Sequence, residues 1–341
     1  MIGFIKKTLV FLFAILLLSF FGVFLILWIF SNDLPDYKFL KNYKPPVSSR
    51  VYAGNGELIS EFSTEKRLFV PYESIPDKVL YSFLSAEDKN FFNHPGIDAK
   101  GIVRAVAKNI HNILTSKRLE GASTITQQVA KNFLLSNEVS ISRKIKEAIL
   151  AFRIERALSK KRIMELYLNE IYLGQGTYGV AAASLEYFDK SISKLEFEEA
   201  ALLAALPKAP SKYNPFKSPT LAMERRNIVV NNLYENNYIK KKEYENLKNK
   251  PINLKQRKIK LFEDSNYYSE EVRRILLKDY GFDKIYKEGL HIKTPINSVF
   301  QIQAIKALRQ GLELYDRRKG WRGVLTNKIN NNNWYKDKDI K

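Results

Sequence analysis

This sequence predicts a mainly α-helical domain behind a single N-terminal membrane-spanning helix, with a short β-hairpin before the domain and an incomplete α/β region after it. Three observations carry that expectation. Residues 8–31 are uncharged and dense in Leu, Phe and Ile, about the length that crosses a bilayer as a helix. From residue 75 to about 248 apolar positions recur at helical spacing, with few strand signals. Past residue 250 the texture changes, and the chain trails into an Asn-rich, charged tail that can hardly close a core.

Lys6 and Lys7 precede the apolar stretch, and Asp33 and Asp36 follow it. By the positive-inside rule residues 1–7 are a short cytoplasmic tail, 8–31 the anchor, and everything beyond lies outside. A cleaved signal peptide would have a shorter apolar region ending in small residues, whereas this one ends Leu27-Trp28-Ile29-Phe30-Ser31-Asn32. Residues 32–49 read as a polar linker. A hairpin follows, with Val51-Tyr52-Ala53 and Leu58-Ile59-Ser60-Glu61-Phe62 either side of a Gly54-Asn55-Gly56 turn. The main domain is expected over residues 50–248, with turns at 93–96, 119–121, 174–179 and 207–219. Residues 249–341 look like the start of a second domain: a helix near 268–280, a strand near 289–294 and a helix near 298–314.

The formal net charge is +20 and cysteine is absent. No disulfide or thiolate chemistry is available. The excess is mostly scattered lysine, without zinc spacing or an aromatic ribonucleoprotein string, so nucleic acid is not the expected partner. Beside a membrane, such a surface suits anionic head groups and lipid-linked pyrophosphates.

Three strings carry chemistry. The first runs from Glu87 and Asp88 through Asn90, Phe91 and His94 to Gly96. Val79, Phe83 and Glu87 fall on one helix stripe, so the Glu87 carboxylate is desolvated, its pKa raised, and it becomes a usable general base. A buried ion pair or a turn cap would explain the same glutamate. The second string, Gly121-Ala122-Ser123-Thr124-Ile125-Thr126-Gln127-Gln128, has capping-box spacing. Thr124, Gln127, Gln128 and Lys131 would share a polar face, and a helix terminus with free N–H groups suits a phosphate. The third, Arg143-Lys144-Ile145-Lys146-Glu147, lies on a helix expected over 142–159. There Glu147 either pairs with Arg143 structurally, or Arg143, Lys144 and Lys146 surround a leaving pyrophosphate that Glu147 helps to orient. A divalent ion held by Glu147 is the other option. Between the first two strings, residues 101–117 form a basic amphipathic stretch, Ile102, Val106, Ile110, Ile113 and Leu114 with Arg104, Lys108 and Lys117. It suits either a core or a membrane surface.

In that order these residues resemble the family 51 glycosyltransferases, the peptidoglycan polymerase domain of class A penicillin-binding proteins. Two further strings agree: residues 160–169, which contain Glu165 and Asn169, and residues 204–211. The likeness runs from about residue 45 to 248. It continues more weakly through 315–321, similar to the linker of the penicillin-binding protein 1A type. The resemblance implies a lysozyme-like fold and a reaction on lipid II and the growing lipid-linked glycan strand. Glu87 would deprotonate the acceptor 4-hydroxyl, which attacks the anomeric carbon of the growing chain with inversion and displaces undecaprenyl pyrophosphate. Glu147 would assist at the pyrophosphate with Lys131, Arg143, Lys144 and Lys146. Asp88, Asn90, Phe91, His94, Ser123, Thr124, Gln127 and Gln128 would serve the substrate, and Gly121, Glu165 and Asn169 the scaffold. A divalent cation (Mg or Mn) at the pyrophosphate is the one cofactor in view, with no organic cofactor. Location would be the bacterial inner membrane, single-pass, with the catalytic domain on the periplasmic side. Partners there are membrane lipids and cell-wall elongation or division proteins.

Two departures stand out. Many family members carry a basic residue where this chain has Val139, and the usual second glycine of the 121–128 string is Ala122. The transpeptidase half of such proteins needs Ser-x-x-Lys, Ser-x-Asn and Lys-Thr-Gly. Ser63 with Lys66 and Ser191 with Lys194 match the first, but no Lys-Thr-Gly occurs, Lys293-Thr294-Pro295 being nearest. Two other functions compete: a lysozyme-like glycan-cleaving enzyme, against which the lysine-rich phosphate features stand, and a non-catalytic membrane-anchored scaffold, against which the two glutamates stand.

Overall fold

The helical spacing in the middle of the chain becomes a helix bundle in the structure, a computed structural model. It describes residues 28–43, 45–63, 65–115, 123–136, 138, 140–256 and 265–320, with isolated positions between 11 and 25. The chain divides into two units. The first comprises Met1–Ser48, Ser63–Ile259 and Tyr286–Glu288, the second Ser49–Phe62, Lys260–Ile285 and Gly289–Lys341.

In chain order the helices of the first unit are α1 (Asp77–Glu87), α2 (Ala99–Leu114), α3 (Ile125–Leu134), α4 (Ile141–Ala157), α5 (Lys160–Glu170), α6 (Val180–Phe188), α7 (Phe197–Ala205), α8 (Pro219–Glu235) and α9 (Lys241–Asn249). After its first turn α7 is Ala and Leu on every side, which sends a helix to the interior. Ala200 to Leu206 are all buried, and α1 and α8 pack on this helix. Asn232 of α8 donates to the Ser85 carbonyl at 3.0 Å, which helps hold the end of α1. On the other side α3 packs on α4 and α5. Val79 and Phe83 of α1, Ile125 and Val129 of α3, and Leu150 and Ile154 of α4 join one core. Fully burying each such side chain contributes about 1.5–3 kcal/mol.

Local chemistry sets the ends. Ser140 caps α4 by accepting from the Arg143 N–H at 3.1 Å, and Ser159 caps α5 by accepting from the Arg162 N–H at 3.2 Å. The helix expected to run through Ser159 therefore stops at Ala157, because that serine opens the next helix. The stretch expected as a turn at 174–179 is a small hairpin. There β4 (Tyr172–Gly174) pairs antiparallel with β5 (Thr177–Tyr178), and β3 (Lys66–Arg67) lies parallel to β5. Gly179, at φ +80°, closes it where a Cβ would sit 2.6 Å from the Asn169 carbonyl oxygen.

The hairpin β1 (Ser49–Tyr52) and β2 (Leu58–Phe62) forms as read and falls in the second unit. There β6 (His291–Lys293) pairs parallel with β1, giving the order β2-β1-β6. Tyr52 stacks on His291, ring centroids 4.4 Å apart. Two helices accompany this sheet: α10 (Asn266–Lys287), broken at Gly281, and α11 (Ser298–Arg318), whose N-cap Asn297 accepts from Val299 and Phe300 N–H.

Among the described residues no helix is long and apolar enough to cross a membrane. The segment expected to do so, 8–31, is described only in part. The ambiguous amphipathic stretch resolves at α2. Ile102, Val106 and Ile110 are 40, 54 and 58% exposed, so this apolar face is not core. Lys117 and the side chains of Ile113 and Leu114 lie outside the described residues.

Candidate active site

Glu87 is the last residue of α1 and Asp88 its C-cap. The two neighbours have different surroundings. The buried Asp88 carboxylate accepts from His94 Nε2 at 2.9 Å and from the backbone N–H of Ile125, the first residue of α3, at 3.0 Å. His94 Nδ1 accepts from the Gly96 N–H, which assigns the other ring proton to Nε2. Glu87 is half-buried and accepts one hydrogen bond, from Gln128 Nε2 at 2.8 Å. Burial pushes its carboxyl above the ordinary glutamate value. The Gln128 bond and the charges of Arg225 and Lys208 pull it back, while Asp88 adds to the rise.

The start of α3 is the expected capping box. Thr124 Oγ1 accepts from the Gln127 N–H at 3.2 Å, and Gln127 Oε1 accepts from the Thr124 N–H at 2.9 Å. The Thr124 hydroxyl donates to the Gly96 carbonyl at 2.6 Å. Gly96, at φ +99°, lets the loop lie against α4, for a Cβ there would meet the Ala151 carbonyl oxygen at 2.8 Å. These bonds give the terminus partners within the protein. Thr124 and Gln127 are buried and spent on the cap, and Asp88 already holds the Ile125 N–H. A second polar layer lies beneath: Glu155 accepts from Thr126 at 2.5 Å and from Lys160 at 2.7 Å, and Lys160 also donates to the His94 carbonyl.

Glu147 is 2% exposed on α4, a carboxylate between cations. Arg143 reaches it at 3.0 Å, and Lys144 bonds to its other oxygen. Lys144 also donates to Ser123 Oγ at 2.8 Å, just before α3. The head of α3 thus connects both glutamates, Gln128 to Glu87 and Ser123 through Lys144 to Glu147. The Lys131 side chain makes no hydrogen bond or ion pair with a described residue.

Other expected site residues are placed elsewhere. Lys146 leaves the Glu147 cluster and pairs with Asp33 at 2.6 Å, because its side chain leaves α4 on a different face from Arg143 and Lys144. Phe91 is fully buried beneath the Lys160 ammonium, 4.4 Å from its ring centroid, and supports the loop. Asn90 donates to Asp98 at 3.0 Å. Glu165 accepts from the Tyr72 N–H, and Asn169 bonds both backbone groups of Val70, so these two fasten the segment before α1. Gly121, Ala122 and Val139 lie outside the described residues. Sequence reasoning missed four residues: Lys208 and Arg225, whose charges reach Glu87, and the half-buried pair Glu155 and Lys160. Lys208 stands in a string already singled out; nothing in the sequence marks Arg225.

The donor set does not fit a resident divalent ion at Glu147. Both carboxylate oxygens carry cationic donors, and among the described residues no cluster of three His, Cys, Asp or Glu exists.

The bundle thus leaves one carboxylate with a single neutral partner and clamps another between cations. Residues 55–234, more than half of the chain, match the Transglycosylase family, and the chain belongs to it. By that membership it carries a peptidoglycan glycosyltransferase domain. It is 45% identical over 328 residues to penicillin-binding protein 1A of Rickettsia felis, covering 96% of this chain and 41% of that protein. It is 44% identical over 308 residues to penicillin-binding protein 1A of Aquifex aeolicus, covering 90% and 42%. The crystal structure of penicillin-binding protein 1A from Haemophilus influenzae is similar at a TM-score of 0.51 and 28% identity, covering 82% of this chain and 32% of that one. The chain thus spans about two fifths of the length of the curated relatives it matches.

Proposed function

We propose that this domain polymerises lipid II into glycan strands at the outer face of a bacterial inner membrane. Glu87 takes the proton from the acceptor 4-hydroxyl as that oxygen bonds to the anomeric carbon of the growing strand. The bond from that carbon to the lipid pyrophosphate breaks with inversion, and the negative charge released meets Lys144, Arg143 and Lys131. The observation that carries this reading is the contrast between the two carboxylates joined through α3: one desolvated and singly bonded, the other ion-paired. A desolvated carboxylate suits a general base, and a cationic cluster suits a leaving pyrophosphate.

The test is purified full chain with labelled lipid II. Long glycan supports the proposal, shortening of pre-made glycan would replace it with hydrolysis, and binding without turnover would leave a scaffold. The membrane location draws on the apolar stretch 8–31 and on α2, where Val103, 70% exposed, joins Ile102, Val106 and Ile110. Ile110→Asp should lose binding to anionic vesicles with an unchanged thermal melt. A collapsed melt would return α2 to the core.

A further inference from the structure

We propose that Tyr167 is a positioning residue for Glu87, its hydroxyl holding, through one bridging water, the carboxylate oxygen that Gln128 leaves open. The proposal rests on Glu87 being the base and deepens that reading. Tyr167 lies on α5 and is 1% exposed, and its hydroxyl oxygen is buried without a hydrogen-bond partner among the described residues. Its ring packs edge-to-face on Phe83 with centroids 6.1 Å apart. Phe83 sits one turn before Glu87 on α1, so the two share the face that Tyr167 meets.

Two carboxylates bear on the phenol, Glu87 and Asp88. With burial they push its ionisation well above the ordinary tyrosine value, so it stays a neutral donor. Asp88 is already supplied by His94 and the Ile125 N–H. Among the described residues Glu87 accepts from Gln128 alone, and so is the carboxylate with capacity to spare. A buried hydroxyl left unbonded costs stability, and phenylalanine would fill the same space without that cost. What the hydroxyl adds is a donor beneath the base. The groups facing Glu87 are then Gln128 from α3, Arg225 from α8, Lys208 after α7, Asp88 beside it and Tyr167 from α5.

The experiment follows the Glu87 carboxyl by 13C NMR pH titration in glutamate-labelled full chain, with Glu87→Gln identifying its resonance. Loss of a donor to the carboxylate raises its pKa. In Tyr167→Phe the Glu87 titration should move up by about half a pH unit or more, with the melt unchanged or higher. If turnover is measurable, its acid limb should move the same way, with kcat down about tenfold and KM little altered. Replacing Tyr167 by 3-fluorotyrosine, a stronger donor of the same shape, should move the titration down, and serves if the phenylalanine variant folds poorly. A Glu87 titration indifferent to both changes overturns the proposal. Because the titration needs no turnover, that failure is distinct from absence of polymerisation, which would instead remove the reading of Glu87 as a base.

Discussion

The ends of α1 and the middle of α4 each present one glutamate to the head of α3, and the two are handled in opposite ways. Glu87 is left with a single neutral amide and a pKa driven up by burial. Glu147 is more buried yet is bound by a guanidinium and an ammonium. Burial alone therefore does not decide what a carboxylate can do; its partners do. A group kept short of donors holds on to a proton when offered one. A group surrounded by cations fixes those cations in place.

The largest test of that contrast is Glu87→Gln, which keeps the shape and removes the proton acceptor. Polymerisation should fall by about 10²–10⁴-fold, as loss of a general base typically gives. The same change should stabilise the fold. Because folding raises the Glu87 pKa above its ordinary 4.5, the stability tied to that shift is complete below the unfolded value and is lost as pH rises through the folded one. At neutral pH the ionised carboxylate is a cost that Gln removes, so the melt of the variant should exceed wild type at pH 7 and converge with it in acid. Equal melts at pH 7 would mean that Glu87 is not under strain.

Glu147→Gln should act in the opposite direction on stability. It strands Arg143 and Lys144 without their shared carboxylate, and breaking a fully buried pair costs about 3–5 kcal/mol. Lys144 is 47% exposed and can turn to water, so a loss of about 1–3 kcal/mol in denaturant unfolding is expected. A rise in stability here would erase the distinction between the two sites.

The smallest effect sharpens the boundary of the cationic cluster. Lys144→Ala should slow turnover about tenfold, as loss of a charged hydrogen bond at the leaving group would. Lys146→Ala should leave turnover within about twofold, since its partner Asp33 is 89% exposed and such pairs contribute about 0–1 kcal/mol. Equal defects in the two variants would merge the lysines into one site.

Much of this was legible in the residues. Capping chemistry announced the start of α3, the apolar stripe placed Glu87, and the (i, i+4) spacing paired Arg143 with Glu147. Lys146 was legible too, had the helix wheel been followed, since it leaves α4 on another side. What escaped depends on contacts far apart in the chain. Asp88 meets the α3 terminus 37 residues later. The edge of β1 is completed by β6, which lies beyond the whole helical domain. Arg225 reaches Glu87 only because α8 and α1 pack together around α7. No local pattern encodes such meetings; they follow from how the helices stack.

The occupied head of α3 has a consequence for competition among solutes. A helix terminus normally attracts any small anion, and so do paired cations on a surface. Here Asp88 stoppers the terminus, and Glu147 holds Arg143 and Lys144. Phosphate or nucleotides drifting past meet charges that are already answered, while the Lys131 side chain is unpaired among the described residues. An anion that displaces Glu147 must bring affinity from elsewhere, such as a sugar chain or a lipid tail. Charges answered in advance in this way should favour anions tethered to something larger.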